Sequence, residues 1–268
     1  MSIQSALAGI LQRAARDGEP VGKLTDSYPL DLPGAYRVQR LGIDRRVARG
    51  ERVVGVKMGF TSTAKMAQMG VDDVIWGILT DAMAVPGEPD LYDISRLIHP
   101  KIEPELVFRL GRRVESADDV ASAVDAVAVG YEVLDSRFED YKFTLPDVVA
   151  DNASAAAFGT GPWHPLTSSA PAPALGSASA SIPDISDLPV TLAVNGQTVR
   201  MASTAAILGD PWESLRSAAR LATGAGLTLE AGWIVLAGGI TEAVPLTPGA
   251  VVTVTAEILG TAELRCAR

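Results

Sequence analysis

Ile102-Glu103-Pro104-Glu105-Leu106-Val107-Phe108-Arg109-Leu110 reads as a β-strand with two acids near its start. Side chains two apart on a strand share a face, so Glu103 and Glu105 stand side by side, about 7 Å apart at the backbone. Carboxylates that close repel each other unless something neutralises them. A hard divalent cation does so, and oxygen-only ligands select Mg²⁺, Mn²⁺ or Ca²⁺ over zinc. The plainer alternative is a solvated strand face. Pro104 also conflicts with a central strand, because proline brings no N–H to a ladder.

Moving outward, Val129–Ser136 reads as a second strand and carries Glu132 among apolar neighbours. A lone charge there is costly unless it is paired or metal-bound. Upstream, Val53–Phe60 reads as a buried strand holding a single cation, Lys57. Its amine either reaches solvent along a packed stem or faces an anionic substrate. Asp151-Asn152-Ala153-Ser154 offers clustered polar groups that serve equally as a turn. Gly238-Gly239-Ile240-Thr241 ends a strand and can present backbone N–H groups to a carboxylate. His99 and His164 each precede a proline and receive no role.

The remaining segments set the fold class. Ile3, Leu7, Ile10, Leu11 and Ala14 recur at helical spacing, with Gly18 as a stop. A second helix is expected from Pro33 to Arg49, with Tyr36, Val38, Leu41 and Val47 turned inward. Thr61 or Ser62 caps a short helix ending at Gly70. A further helix follows Ser116. Asn195-Gly196, between Pro189–Val194 and Gln197–Ala202, is a two-residue hairpin turn. Asp210-Pro211-Trp212-Glu213 opens a helix with a cap, a first-turn proline and a capping acid. Trp233–Ala237, Ala250–Ile258 and Ala262–Arg265 close the chain as strands. Many strands and few helices imply an α+β protein with a mixed or antiparallel sheet. Residues 1–50 read as a helical cap and 51–268 as one catalytic unit. The Ala/Ser/Pro-rich stretch from Pro165 to Pro189 reads as a surface loop.

Composition narrows the function. The chain has 268 residues, a net charge of −9 and 47% hydrophobic residues. The acidic balance argues against nucleic acid, because phosphate binding needs a basic face and the sequence pattern points to none. Its single cysteine, Cys266, forms neither an internal disulfide nor a Cys-rich zinc site. No signal peptide and no membrane span are expected, and a cytoplasmic location fits. No Gly-x-Ser-x-Gly elbow, P-loop or dinucleotide fingerprint occurs.

Several stretches resemble one enzyme family. They are Gly55-Val56-Lys57-Met58-Gly59-Phe60-Thr61-Ser62 with Ala64–Val71, Leu97–Glu105, Glu132–Arg137, Val148–Ser154 and Gly238–Thr241. From about residue 28 to 265 the chain is similar to the 4-oxalocrotonate decarboxylases. These belong with the 2-keto-4-pentenoate hydratases in the fumarylacetoacetate hydrolase superfamily. The resemblance implies a mixed β-roll with flanking helices, and Mg²⁺ or Mn²⁺ held by Glu103, Glu105 and Glu132. It implies Lys57 as the active-site lysine. It further implies a small 2-keto dicarboxylic acid substrate and a homo-oligomer, a complex with a partner hydratase, or both. Ser62, Asp81, Arg137, Asp151, Ser154, Gly239 and Thr241 are the expected substrate-pocket residues.

The residues around Lys57, those at Met66–Met69 and the Gly-Gly-Ile-Thr run favour decarboxylation over hydration. A scaffold subunit without activity, or a keto-acid binding protein, is a rival of another class. Two departures stand out: the 165–189 stretch is longer than usual, and Asp210 replaces a frequent histidine.

Overall fold

The computed structural model describes residues 2–62, 65–67, 70–85, 91–166 and 184–268. The longer elements in order are α1 (Ile3–Asp17), α2 (Leu32–Val47), β1 (Val53–Gly59), β2 (Ile75–Thr80), β3 (Lys101–Leu110), α3 (Val120–Ala123), β4 (Val124–Leu134), α4 (Leu145–Ala150), β5 (Ala155–Thr160), β6 (His164–Pro165), β7 (Pro189–Val194), β8 (Gln197–Ser203), α5 (Pro211–Gly224), β9 (Ile234–Gly239), β10 (Val244–Pro245), β11 (Val251–Ala256) and β12 (Gly260–Arg265).

An eight-stranded sheet runs β2-β1-β9-β3-β4-β5, with β10 beside β3 and β6 beside β4. A second sheet of four strands runs β12-β11-β7-β8. In the larger sheet β1 and β9 are parallel, and β3 is antiparallel to both β4 and β9. The expected α+β class and mixed β-roll therefore stand. Phe108, Leu106, Val129, Val252 and Leu264 belong to one buried cluster that joins the two sheets.

α1 and α2 share a second core with the sheet: Leu7, Leu11, Ala35 and Val38 pack with Ile75, Phe138, Val148 and Val149. Gly18 ends α1 in the left-handed region, with its N–H on Ala14 O. The inward face of α2 differs in part from the expected one. Ala35, Val38 and Ile43 are buried, whereas Val47 is exposed.

The central-strand objection to Pro104 has a structural answer. In a ladder a residue's N–H and C=O point to the same neighbour. Pro104 O accepts from Ile240 N at 2.9 Å, on the side where β9 gives way to β10. The absent N–H thus faces a break in pairing, and the bonds to β4 are untouched.

Four strands escaped the sequence reading: β2 and β5, and the two-residue β6 and β10. β4 also begins at Val124, earlier than the expected Val129. The short helix expected from residue 61 is seen only at 65–67, because 63–64 and 68–69 lie outside the described residues. Most of the 165–189 loop, residues 167–183, also lies outside them.

Candidate active site

β3 and β4 pair so that Glu103 stands directly opposite Glu132. Glu105 follows on the same face of β3, at the level of Gly239 on β9. One ligand oxygen from each of the three glutamates lies within 4.8 Å of the other two. They are 4, 0 and 0% exposed for Glu103, Glu105 and Glu132. Like charges directly across a ladder destabilise it. Burial, then Glu103 and Glu132, push the Glu105 carboxyl well above its ordinary range. Burial pushes Glu132 up to about 7, with Lys57 opposing and Glu103 adding.

Lys57 is buried on β1, which lies three strands away from β4 in the order β1-β9-β3-β4. On a flat sheet that is about 14 Å. Yet Lys57 Nζ lies 2.9 Å from Glu132 Oε2, so the sheet curls into a roll and brings its strands face to face. The same amine donates to Ala153 O at 3.1 Å. Gly77, opposite Lys57 on β2, makes room for the stem: a Cβ there would meet Lys57 Cγ and Cδ at 3.1 Å and Asn152 O at 2.6 Å.

The Ala153 carbonyl is aimed by an unusual backbone. Asn152, Ala153 and Ser154 have φ of 53, 52 and 59°. Such left-handed residues cost about 1–2 kcal/mol each away from glycine. Asn152 helps hold them, because its side-chain amide bonds Ile78 N and Ile78 O at 2.8 and 2.9 Å, as a strand neighbour would. The Ser154 hydroxyl is buried beside this turn with no hydrogen-bond partner among the described residues.

The Gly-Gly run presents an N–H to the protein's own carboxylate. Gly238 N–H donates to Glu105 Oε2. Gly238 has φ of 122°, and a Cβ on it would overlap Thr61. The turn after β9 then flanks Glu103, with Ile240 N on Pro104 O and Val244 opposite Ile102. Thr241 lies in this turn, its hydroxyl donating to Glu242 O.

Other expected pocket residues are placed differently. Ser62 Oγ accepts from Lys65 N at 3.2 Å, capping the turn that carries Lys65. Lys65 is the residue that sequence reasoning missed: its Nζ lies 3.2 Å from Glu103 Oε2, and that carboxylate raises its pKa. It stood within the resembling stretch, but nothing in its spacing tied it to Glu103. The Arg137 guanidinium is taken up by Asp151 and by the carbonyls of Asp135 and Asp151. Burial pushes Asp151 up to about 6, against the pull of Arg137. Asp81 is not brought to the cluster. It binds Arg52 N and Arg52 Nε at the opposite end of β1, five residues before Lys57.

A hard divalent cation fits this cluster. Among the described residues, Glu105 Oε1 and both Glu132 oxygens are buried with no hydrogen-bond donor well aligned on them, and Lys57 Nζ is the cation beside Glu132. Three carboxylates against two ammonium groups leave a buried negative excess. An oxygen-only set suits Mg²⁺ or Mn²⁺ and leaves about three of six positions for ligand and water.

Comparisons with known proteins agree with this geometry. Residues 52–267 match the model of the fumarylacetoacetate (FAA) hydrolase C-terminal family. A 4-oxalocrotonate decarboxylase of Pseudomonas sp is 43% identical over 84% of this chain and 83% of its own. A 2-keto-4-pentenoate hydratase of Paraburkholderia xenovorans is 33% identical over 82% of this chain and 78% of its own. The solved 4-oxalocrotonate decarboxylase from Pseudomonas putida G7, complexed with magnesium and adipate, superposes with a TM-score of 0.88. It is 38% identical and covers 98% of this chain and 97% of that one. The chain belongs to the fumarylacetoacetate hydrolase family, on the branch that holds the 4-oxalocrotonate decarboxylases and 2-keto-4-pentenoate hydratases.

Proposed function

We propose that this chain decarboxylates 4-oxalocrotonate (2-oxohex-3-enedioate) to 2-hydroxypenta-2,4-dienoate and CO₂, with Mg²⁺ or Mn²⁺ held by Glu103, Glu105 and Glu132. The observation that carries the reading is the buried glutamate cluster with Lys57 on its rim, in a chain so similar to decarboxylases. When bound, the cation supplies Lewis acidity towards the 2-keto oxygen.

The reaction breaks the C5–C6 bond. The electron pair passes through C4 and C3 to the keto oxygen, C6 leaves as CO₂, and that oxygen ends with a proton. Lys57 offers three N–H donors. One is on Ala153 O and one side faces Glu132, so a third is left for a substrate oxygen. There it holds a developing negative charge and supplies the proton. On this reading Ser154, whose buried hydroxyl has no partner among the described residues, and Thr241 bind substrate, and Ser62 positions Lys65 against Glu103. Arg137 and Asp151 act on the substrate indirectly, by fixing the turn that aims Ala153 O.

The dienol product is reactive, which supports assembly of this chain as a homo-oligomer or with a 2-keto-4-pentenoate hydratase that consumes it. Co-elution of the two purified proteins at a mass above either alone tests that assembly.

The deciding experiment incubates purified protein with 2-oxohex-3-enedioate, with and without Mg²⁺. Metal-dependent CO₂ release is expected. Water addition without loss of carbon would instead assign the hydratase reaction. Keto-acid binding without turnover would make the chain a binding protein, and neither binding nor turnover would make it a scaffold subunit.

A further inference from the structure

An open cleft of about 980 Å³ lies away from the glutamates, between α1 and α2, with Arg137, Asp151 and Asn152 as its floor. In a chain of net charge −9, its walls are basic: Arg13 and Arg16 come from α1, Arg45 and Arg46 from α2, and Arg49 from just beyond. Arg16 is paired with Asp17 and Arg46 with Glu51. Among the described residues, Arg13, Arg45 and Arg49 have no carboxylate within ion-pair distance.

These three converge. Arg13 Nη1 and Arg45 Nη1 each lie 3.5 Å from the point a Cβ on Gly9 would occupy. Gln12 stands between Arg45 and Arg49. Its amide oxygen accepts either from Arg45 Nη1 at 3.4 Å or, with the amide turned, from Arg49 Nη1 at 2.6 Å, so it satisfies only one of the two guanidinium groups at a time. Arg45 is further anchored on Ser5 O and Ser5 Oγ at 2.8 and 2.9 Å. Like charges gathered around one neutral amide repel each other, and a multivalent anion relieves that repulsion. Two glycines keep the walls bare. Gly9 and Gly42 sit inside helices, where glycine costs about 1 kcal/mol relative to alanine. Packing does not demand either: a Cβ on Gly42 would meet nothing within 4 Å, and one on Gly9 only the guanidinium tips.

We propose that this cleft is a second binding site, for a compact multivalent anion carrying phosphate or clustered carboxylate groups. Guanidinium forks match both geometries, and a concavity of this size holds a small molecule. The site backs onto the proposed active site, because Asp151 and Asn152 floor the cleft while Ala153 O receives Lys57. The inference does not depend on which reaction the chain catalyses.

Calorimetric titration of the whole, metal-free protein tests it, with inorganic tripolyphosphate in one arm and propane-1,2,3-tricarboxylate in the other. One-site binding that weakens with added salt is expected in at least one arm, and the arm identifies the anion class. Arg13 and Arg49 are exposed, so the double variant Arg13→Gln/Arg49→Gln keeps the fold, which circular dichroism checks. It should bind at least about tenfold more weakly, a loss of about 1.4 kcal/mol. Glu103→Gln should bind like the wild type. No saturable heat in either arm, unaltered binding in the double variant, or loss of binding in Glu103→Gln would overturn the proposal.

Discussion

Gly239 lacks a side chain because the Glu103 carboxylate fills the space one would need. Even the farther Glu103 oxygen would lie 2.8 Å from a Cβ at residue 239. Gly239→Ala should therefore displace Glu103 or bend β9, at about 1–3 kcal/mol for overpacking. The expected result is a lower Tm together with at least about tenfold weaker Mn²⁺ binding by calorimetry. Wild-type affinity in this variant would refute the steric account.

Lys57→Met removes both the charge beside Glu132 and the donor to Ala153 O. Loss of a proton-handling group lowers kcat by about 10²–10⁴-fold. Steady-state rates with saturating Mg²⁺ check this, since a bound cation keeps Glu132 compensated when the lysine is gone. Retention of more than a tenth of wild-type kcat would remove Lys57 from the chemistry.

The buried glutamates also set a pH dependence. Glu132 titrates near 7 in the folded protein against an ordinary 4.5, and Glu105 is raised as well. An acid whose folded pKa is raised makes the native state bind more protons than the unfolded chain in between. Stability conferred by the protonated form is thus present at low pH and is lost as pH rises from about 4.5 through about 7. Thermal melts of chelator-treated protein should show Tm falling across that window. Saturating Mg²⁺ should flatten or reverse the slope, because metal binding favours the ionised carboxylates. A metal-free Tm that climbs from about pH 5 to about pH 8 would contradict the cluster's electrostatics.

Asn152 holds β2 by its side chain and Lys57 through the neighbouring carbonyl. Asn152→Ala leaves Ile78 N–H and C=O without those partners, at about 1–3 kcal/mol for each buried group left unsatisfied. Urea denaturation should register the loss. Because Ala153 O is then free to shift, kcat should fall while Mn²⁺ affinity changes little.

Asp81 provides the contrast. It is fastened to Arg52 at the far end of β1. Asp81→Asn should leave kcat and KM unchanged, and a loss of activity would bring that end of the strand into the site.

The cluster was readable where a local pattern marks the residue. Period two put Glu103 and Glu105 on one face. A lone charge in an apolar run marked Glu132 and Lys57. Asn195-Gly196 forms the expected hairpin turn, both residues at positive φ, and Asp210 Oδ1 accepts from Trp212 N as a cap should. What stayed hidden depends on distant partners. β5, Ala155–Thr160, begins with three alanines and carries no β-branched residue before Thr160, so only its pairing with β4 makes it a strand. The Lys65–Glu103 contact joins residues 38 apart. The acceptor of Lys57 is a backbone carbonyl, which leaves no trace in side-chain identity. Arg137 was assigned to substrate only through the family resemblance over Glu132–Arg137. Its guanidinium instead joins that segment to Asp151.

The register that sets Glu103 opposite Glu132 reverses the usual ranking of a protein's parts. Amides on the central strand pair of a sheet normally exchange with solvent last, and the periphery opens first. On the proposed function, β3 and β4 are clamped from outside by an ion the chain does not encode. Above about pH 7, where the carboxylates ionise, metal-free protein is expected to open at this centre more readily than metal-loaded protein, which hydrogen exchange along β3 and β4 checks. Metal supply then adds to the stability of the sheet's centre, which sequence alone normally sets.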